Sequence, residues 1–417
     1  MSLSLRTAPP RLRCAVLGSL LVLLGACTNG SASPAGSAAI PGSSPTVPGT
    51  TVTVGVNPQN SVLDPVTQTL YVESDPENST HGTVTVLNAS TCSRLRASGC
   101  VSTTPSVPAG DGPVSIAVDQ ITDTIYVVNS NSNTLSVIDG AACNARNISG
   151  CSHQPPAVAV GSNPVDVAVN QATDTVYVAN WGNGAGATVS VINGRTCNGR
   201  VASGCGRPSA TVTIGTGPAG VIVDQSTNTL YAATIAPNGA EAVWVIDGAT
   251  CNGAKTSGCR RKPPSVPVGT GSARYNVAFA IDQATETLYV ANWADNTLSM
   301  IDTADCNGTI TSGCAQHPST VRVGRGPDGI ALDFATHTVY VANVTDDTIS
   351  VLDAAACNAT VSSGCGTPSR SLRTGHSPRW VTVDQETDTI YVTNGDDYDA
   401  SVLNGATCNA TAASGCS

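Results

Sequence analysis

Pro113-Val-Ser-Ile-Ala-Val-Asp119, Thr124-Ile-Tyr-Val-Val-Asn129 and Thr134-Leu-Ser-Val-Ile-Asp139 follow one another across short turns. After a loop bounded by Cys143 and Cys151 comes a fourth short run, Ala157-Val-Ala-Val160. Each run has strand length, is rich in β-branched residues and shows no sustained 3.6-residue period, so the unit reads as four antiparallel strands, a to d. The unit is copied. Seven cysteine pairs, each with seven residues between its members, recur every 51 to 55 positions. They are Cys92 with Cys100, Cys143 with Cys151, Cys197 with Cys205, Cys251 with Cys259, Cys306 with Cys314, Cys357 with Cys365, and Cys408 with Cys416. A fixed period of that size means a supersecondary unit that buries its apolar faces against its neighbours. Seven such four-stranded units predict an all-β, seven-bladed β-propeller.

The ends of the chain predict how the ring closes. The seventh unit ends at Ser417 without a strand d, whereas Thr50-Thr-Val-Thr-Val-Gly55 matches strands d such as Thr211-Val-Thr-Ile-Gly215 and has no a, b and c before it. The opening strand is therefore expected to complete the last blade beside residues 400–404, covering a free sheet edge. Strand a should line the central channel, buried on both sides. Strand b carries Tyr71, Tyr126, Tyr177, Tyr231, Tyr289, Tyr340 and Tyr391 at one position. These rings are expected to pack between blades, with each hydroxyl satisfied at an edge.

Even, regularly spaced cysteines in an exported chain read as disulfides. Zinc is the rival, but seven identical loops on separate repeats cannot converge on shared sites. Each bridge should close its own loop, worth roughly 2–3 kcal/mol in the chain-entropy model. Export is read from the N-terminus, where Arg6, Arg11 and Arg13 precede an apolar run from Cys14 to Leu24 that is too short for a permanent span. Residues 1–26 are thus expected to be a signal peptide, residues 27–49 a flexible Ser/Pro/Gly/Ala-rich tether, and 50–417 the propeller. Losing three arginines takes the balance from 19 bases and 29 acids to 16 and 29, about −13. Such a chain repels phosphate backbones, so no nucleic-acid partner is expected.

Two resemblances add to this reading. Leu24-Gly25-Ala26-Cys27 resembles the lipobox of bacterial lipoproteins, which implies acylation of Cys27; ordinary cleavage after Ala26 is the alternative. Strand b resembles the YVTN repeat of bacterial and archaeal surface propellers, literally at Tyr391-Val-Thr-Asn394 and closely at Tyr177-Val-Ala-Asn180, Tyr289-Val-Ala-Asn292 and Tyr340-Val-Ala-Asn343. Blade 4 departs with Tyr231-Ala-Ala-Thr234 and blade 1 with Tyr71-Val-Glu-Ser74. That family implies seven blades outside the cytoplasm, and no single activity.

In a propeller the b–c loops and d–a connections share one end, with the a–b turns and cysteine loops opposite. The repeated Asp-Gln-x-Thr of the a–b turns suits backbone capping better than a metal ladder. Departures at the b–c end are more informative. Trp181 and Trp293 open the b–c loops of blades 3 and 5. Four residues before the turn Asp, where five blades carry Asn60, Ser115, Gly220, Ala278 or Gly329, blades 3 and 7 carry Asp166 and Trp380. Arg379 and His376 lie beside Trp380, and the longer fifth connection adds Arg274 and Tyr275. These eight residues form the candidate binding face, suited to a protein, peptide or glycan of the cell envelope. An acidic rim, Asp346, Asp347, Asp396, Asp397, Asp399, Asp75 and Glu77, suits solvent better than a cation, for want of EF-hand spacing.

Catalysis has thinner support. His81, His153, His317, His337 and His376 are scattered, and no nucleophile elbow, HExxH or phosphate loop occurs. Seven-bladed lactonases and streptogramin lyases resemble this architecture and place metal ligands and bases at the channel mouth. Only Asp166 and His376 match such a role, too few to imply a cofactor. The expectation is an exported, lipid-anchored, monomeric binding module without cofactor, with a lactonase- or lyase-like enzyme using a divalent cation as the alternative.

Overall fold

The structure, a computed structural model, describes residues 49–76, 81–100, 104–271, 277–366 and 370–416. The expected export signal, Cys27 and most of the expected tether lie outside those residues, as do Glu77, Arg274 and Tyr275. No helix among the described residues is long and apolar enough to cross a membrane.

Seven four-stranded antiparallel sheets follow one another, each in the order a-b-c-d. The last is built from both termini: Thr50–Thr53 pairs with Asp399–Asn404, in the register Thr50 to Val402, Val52 to Ala400 and Thr53 to Asp399. The strand stops two residues short of the expected Gly55. Gly55 is at φ +117°, a conformation that favours glycine and turns the chain into the first strand a.

The apolar residues form seven clusters, most of them built by two adjacent blades. One combines Tyr126, Val128 and Val137 of blade 2 with Val167, Val176 and Ile192 of blade 3. Another closes the ring, combining Val52, Tyr391 and Val402 of blade 7 with Leu70, Leu87 and Cys92 of blade 1. Strand b, rather than a, is buried along its whole length in every blade. Strand a is half-exposed at several positions in most blades, as in Pro58–Asp64 and Pro113–Asp119, because it is the innermost strand of its blade and one side faces the channel.

Every cysteine pair expected from the spacing is bridged within its own loop. Cys92 is bonded to Cys100, Cys143 to Cys151, Cys197 to Cys205 and Cys251 to Cys259. The same holds in the last three blades, where Cys306 is bonded to Cys314, Cys357 to Cys365 and Cys408 to Cys416. The two members differ in burial. The first cysteine is buried in every loop, whereas Cys100, Cys365 and Cys416, at the far ends of their loops, are not fully covered. Cys151, Cys205, Cys259 and Cys314 are buried as well, so in blades 2 to 5 the whole bridge sits in the interblade clusters.

The loops do more than shorten a connection. Each of the seven tyrosine hydroxyls donates to the carbonyl of the first cysteine in the next blade. Tyr71 reaches Cys143 at 2.8 Å, Tyr177 reaches Cys251 at 2.6 Å, and Tyr391 reaches across the ring closure to Cys92 at 2.6 Å. The threonine that opens the same strand b accepts a backbone N–H from that loop, as Thr69 does from Ala145 and Thr338 from Ala410. Each loop therefore clamps one blade onto its predecessor through two hydrogen bonds, each worth about 1 kcal/mol net.

Candidate functional site

The a–b turns are structural, as their residue types suggest. The Asp224 carboxylate accepts the N–H groups of Ser226 and Thr227 and the Thr227 hydroxyl, and Asp333 and Asp384 cap their turns in the same manner. Their oxygens point back into the turn.

The b–c end is fastened by a second device. The asparagine closing strand b donates to two hydroxyls of strand c, as Asn180 does to Thr188 and Ser190. In blades 2, 3 and 5 its carbonyl also accepts the N–H of the glycine on the connection that enters its own blade from the preceding one. Rim acids take part. Asp346 accepts the Arg325 N–H and guanidinium at 2.6 Å each, Asp347 accepts the Ser377 N–H, and Asp396 accepts the Ser377 hydroxyl. Asp397 accepts the His376 N–H at 2.6 Å and pairs with its imidazole at 2.9 Å, which raises the affinity of that exposed ring for a proton. Asp399 accepts from Asn394, and burial raises its carboxyl. Most of the rim thus fastens loops. Asp75 carries interactions of its own.

Asp166 is buried, one oxygen accepting Ser115 Oγ of blade 2 at 2.6 Å and the other Val221 N–H of blade 4 at 2.7 Å. Its first oxygen also takes the Val167 N–H. The carboxylate spans the inner strands of three blades, and burial lifts its pKa to about 6 despite three donors. Trp181 and Trp293 are half-buried, the first packed on the cluster between blades 3 and 4, the second reaching Gly326 in the connection into blade 6. Trp380 is half-buried against the cluster of blades 5 and 6. Among the described members of the candidate set, only Trp380, Arg379 and His376 fall together, because they share one stretch of blade 7. Asp166, Trp181 and Trp293 stand on other blades.

The structure adds residues that the sequence reading passed over. Glu73 stands in strand b of blade 1 where other blades have Ala, Val or Thr, and it is fully buried. One of its oxygens accepts the Asn60 N–H at 2.9 Å. Burial holds the carboxyl well above the usual range, partly offset by Arg379. Its second oxygen, the Asn60 side-chain oxygen and Arg379 Nε have no hydrogen-bond partner among the described residues. Two unspent acceptors and one unspent donor therefore gather where blades 7 and 1 meet. The signal was present in the departure of Tyr71-Val-Glu-Ser74 from the strand b pattern. Glu241, in the longer b–c hairpin of blade 4, is likewise buried, and burial assisted by Asp295 lifts its pKa to about 8.

A family model described as "Lactonase, 7-bladed beta-propeller" matches residues 82–404. The chain belongs to that family. Among solved structures, Kuenenia stuttgartiensis hydrazine synthase is similar in fold, with a TM-score of 0.63 at 16% identity over 84% of this chain and 96% of that one. No curated protein sequence matches the chain. Seven disulfides in a lactonase-family propeller mark an oxidising, extracytoplasmic environment.

Proposed function

We propose that this lactonase-family propeller is an exported, lipid-anchored binding module of the cell envelope, with its ligand seated at the b–c mouth between blades 7 and 1. A glycan is the ligand that the chemistry favours over a protein or peptide. The observation that carries this reading is the group of buried Glu73 and Asn60 with half-buried Arg379, which keep unspent hydrogen-bonding atoms where blades 7 and 1 meet, Trp380 following Arg379 in the same strand a. Acceptors, a donor and an aromatic face are what a polyhydroxylated ring satisfies. The test is pelleting with insoluble envelope glycan: wild-type protein should sediment, whereas Trp380→Ala and Glu73→Gln should stay in the supernatant while keeping their melting temperature. Equal sedimentation of all three proteins contradicts the site.

Family membership favours one second reading, lactone hydrolysis at the same mouth. The divalent cation it would use does not fit. Asp166 spends both oxygens on Ser115, Val167 and Val221, His376 is tied to Asp397 on the rim, and the described residues bring no three His, Cys, Asp or Glu side chains together. Turnover of a lactone panel that is lost in Glu73→Gln would favour this reading over binding.

A further inference from the structure

The end bearing the a–b turns and cysteine loops has exposed surface of an unusual kind. Among the described residues ten large hydrophobics are exposed, and all but Val56 and Tyr398 stand at this end. Five of them, Val66, Leu95, Ile121, Ile148 and Phe334, are more than half exposed, each at a turn or loop tip. They serve no packing role there, since the interblade clamps are made by backbone and threonine atoms beneath them. In blade 4 the position occupied by Val201, Ile310 and Val361 elsewhere is Lys255, and the loop continues into Arg260-Arg261-Lys262. All four cations are exposed, and none is in an ion pair among the described residues. The turn carboxylates Asp224 and Asp333 are buried and spend oxygens inward on their own turns, and the exposed acids Glu286, Asp305 and Glu386 of this end stand on blades 5 and 7, outside the cationic loop of blade 4.

The chain also enters the propeller from this end. Gly49 and Thr50 line a cleft with Arg94, Ala97 and Thr407 of the cysteine loops. In sequence, only residues 28–49, rich in Ser, Pro, Gly and Ala, separate Cys27 from that cleft.

We propose that this end docks on the surface of an anionic phospholipid bilayer, the apolar tips entering the headgroup boundary while Lys255, Arg260, Arg261 and Lys262 meet lipid phosphates. Apolar tips beside unpaired cations are the composition of interfacial membrane contacts. The b–c mouth then faces away from the membrane. The docking rests on the anchored reading only for how the chain reaches the bilayer, and it is tested separately from it.

The full chain carrying Phe334→Trp is mixed with vesicles of brominated phosphatidylglycerol and phosphatidylcholine, or of brominated phosphatidylcholine alone. Trp181, Trp293 and Trp380 stand at the b–c end, but Trp244 lines a cleft with Arg260, Arg261 and Lys262, so every protein in the comparison also carries Trp244→Phe. Fluorescence of the new tryptophan should therefore be quenched on the anionic vesicles, while the Trp244→Phe parent changes little. Quenching should vanish when Arg260→Glu, Arg261→Glu and Lys262→Glu are added. Protein recovered with vesicles but not quenched leaves the anchor standing and overturns the docking. Quenching equal on both vesicle types overturns the role of the cations. Protein not recovered with either vesicle overturns both readings.

Discussion

The two ends of this propeller are made from the same repeat and have diverged by different amounts. At the turn end, one arrangement is repeated seven times: bridged loop, with tyrosine hydroxyl to cysteine carbonyl. At the b–c end the asparagine fastener is replaced by Ser74 in blade 1 and Thr234 in blade 4, where Thr234 accepts from Trp244 instead. Buried acids appear there at Glu73, Asp166 and Glu241. Where interblade contacts are clamped independently, the opposite loops are released from holding the ring together and can carry chemistry.

Breaking the ring itself should have the largest effect. Val52 points into the closing cluster and is 2% exposed, whereas Thr51 beside it is exposed. Val52→Asp should lose about 3–5 kcal/mol in denaturant unfolding, while Thr51→Asp stays within about 0.5 kcal/mol. Equal losses would mean that the opening strand is not seated as described.

The acids of the b–c end predict a pH effect. The folded pKa of Glu241 is raised from 4.5 to about 8, so its stabilising contribution is complete below about pH 4.5 and declines as pH rises through 8. Relative to wild type, Glu241→Gln should gain a few kcal/mol across that window and hold the gain above it. A pH-independent difference would contradict the assignment.

At the turn end the steps are smaller. Replacing both Cys357 and Cys365 by alanine should cost about 2–3 kcal/mol, and Tyr289→Phe, which orphans the Cys357 carbonyl, about 1–2 kcal/mol. The clamp predicts that the tyrosine change costs less once the bridge is gone, since both act on one loop; simple additivity would separate them. Smallest of all, Phe334→Ser should leave stability within about 0.5 kcal/mol, because the ring is exposed.

Blade count, strand order, ring closure and disulfide pairing were legible because each depends on period and spacing, which a repeat displays directly. The clamp was only half legible. The tyrosine column was visible in sequence, but its acceptor is a backbone carbonyl 68 to 75 positions ahead in six blades and 299 behind in the seventh, and no residue type marks a carbonyl. The site was least legible. Trp181, Trp293 and Asp166 stood out by type, yet packing and three hydrogen bonds absorb much of their chemistry. Glu73 hid inside a strand because its lack of a partner for one oxygen depends on Asn60 and Arg379, which the fold alone places nearby.

Native-state hydrogen exchange at Thr50–Thr53 tests the closed ring most directly, since that strand decides which end is which. The amides bonded to Asp399–Val402 should exchange as slowly as those of Thr389–Asn394, through global unfolding alone. Exchange at the rate of a fraying terminus, with the rest of blade 7 protected, would contradict it.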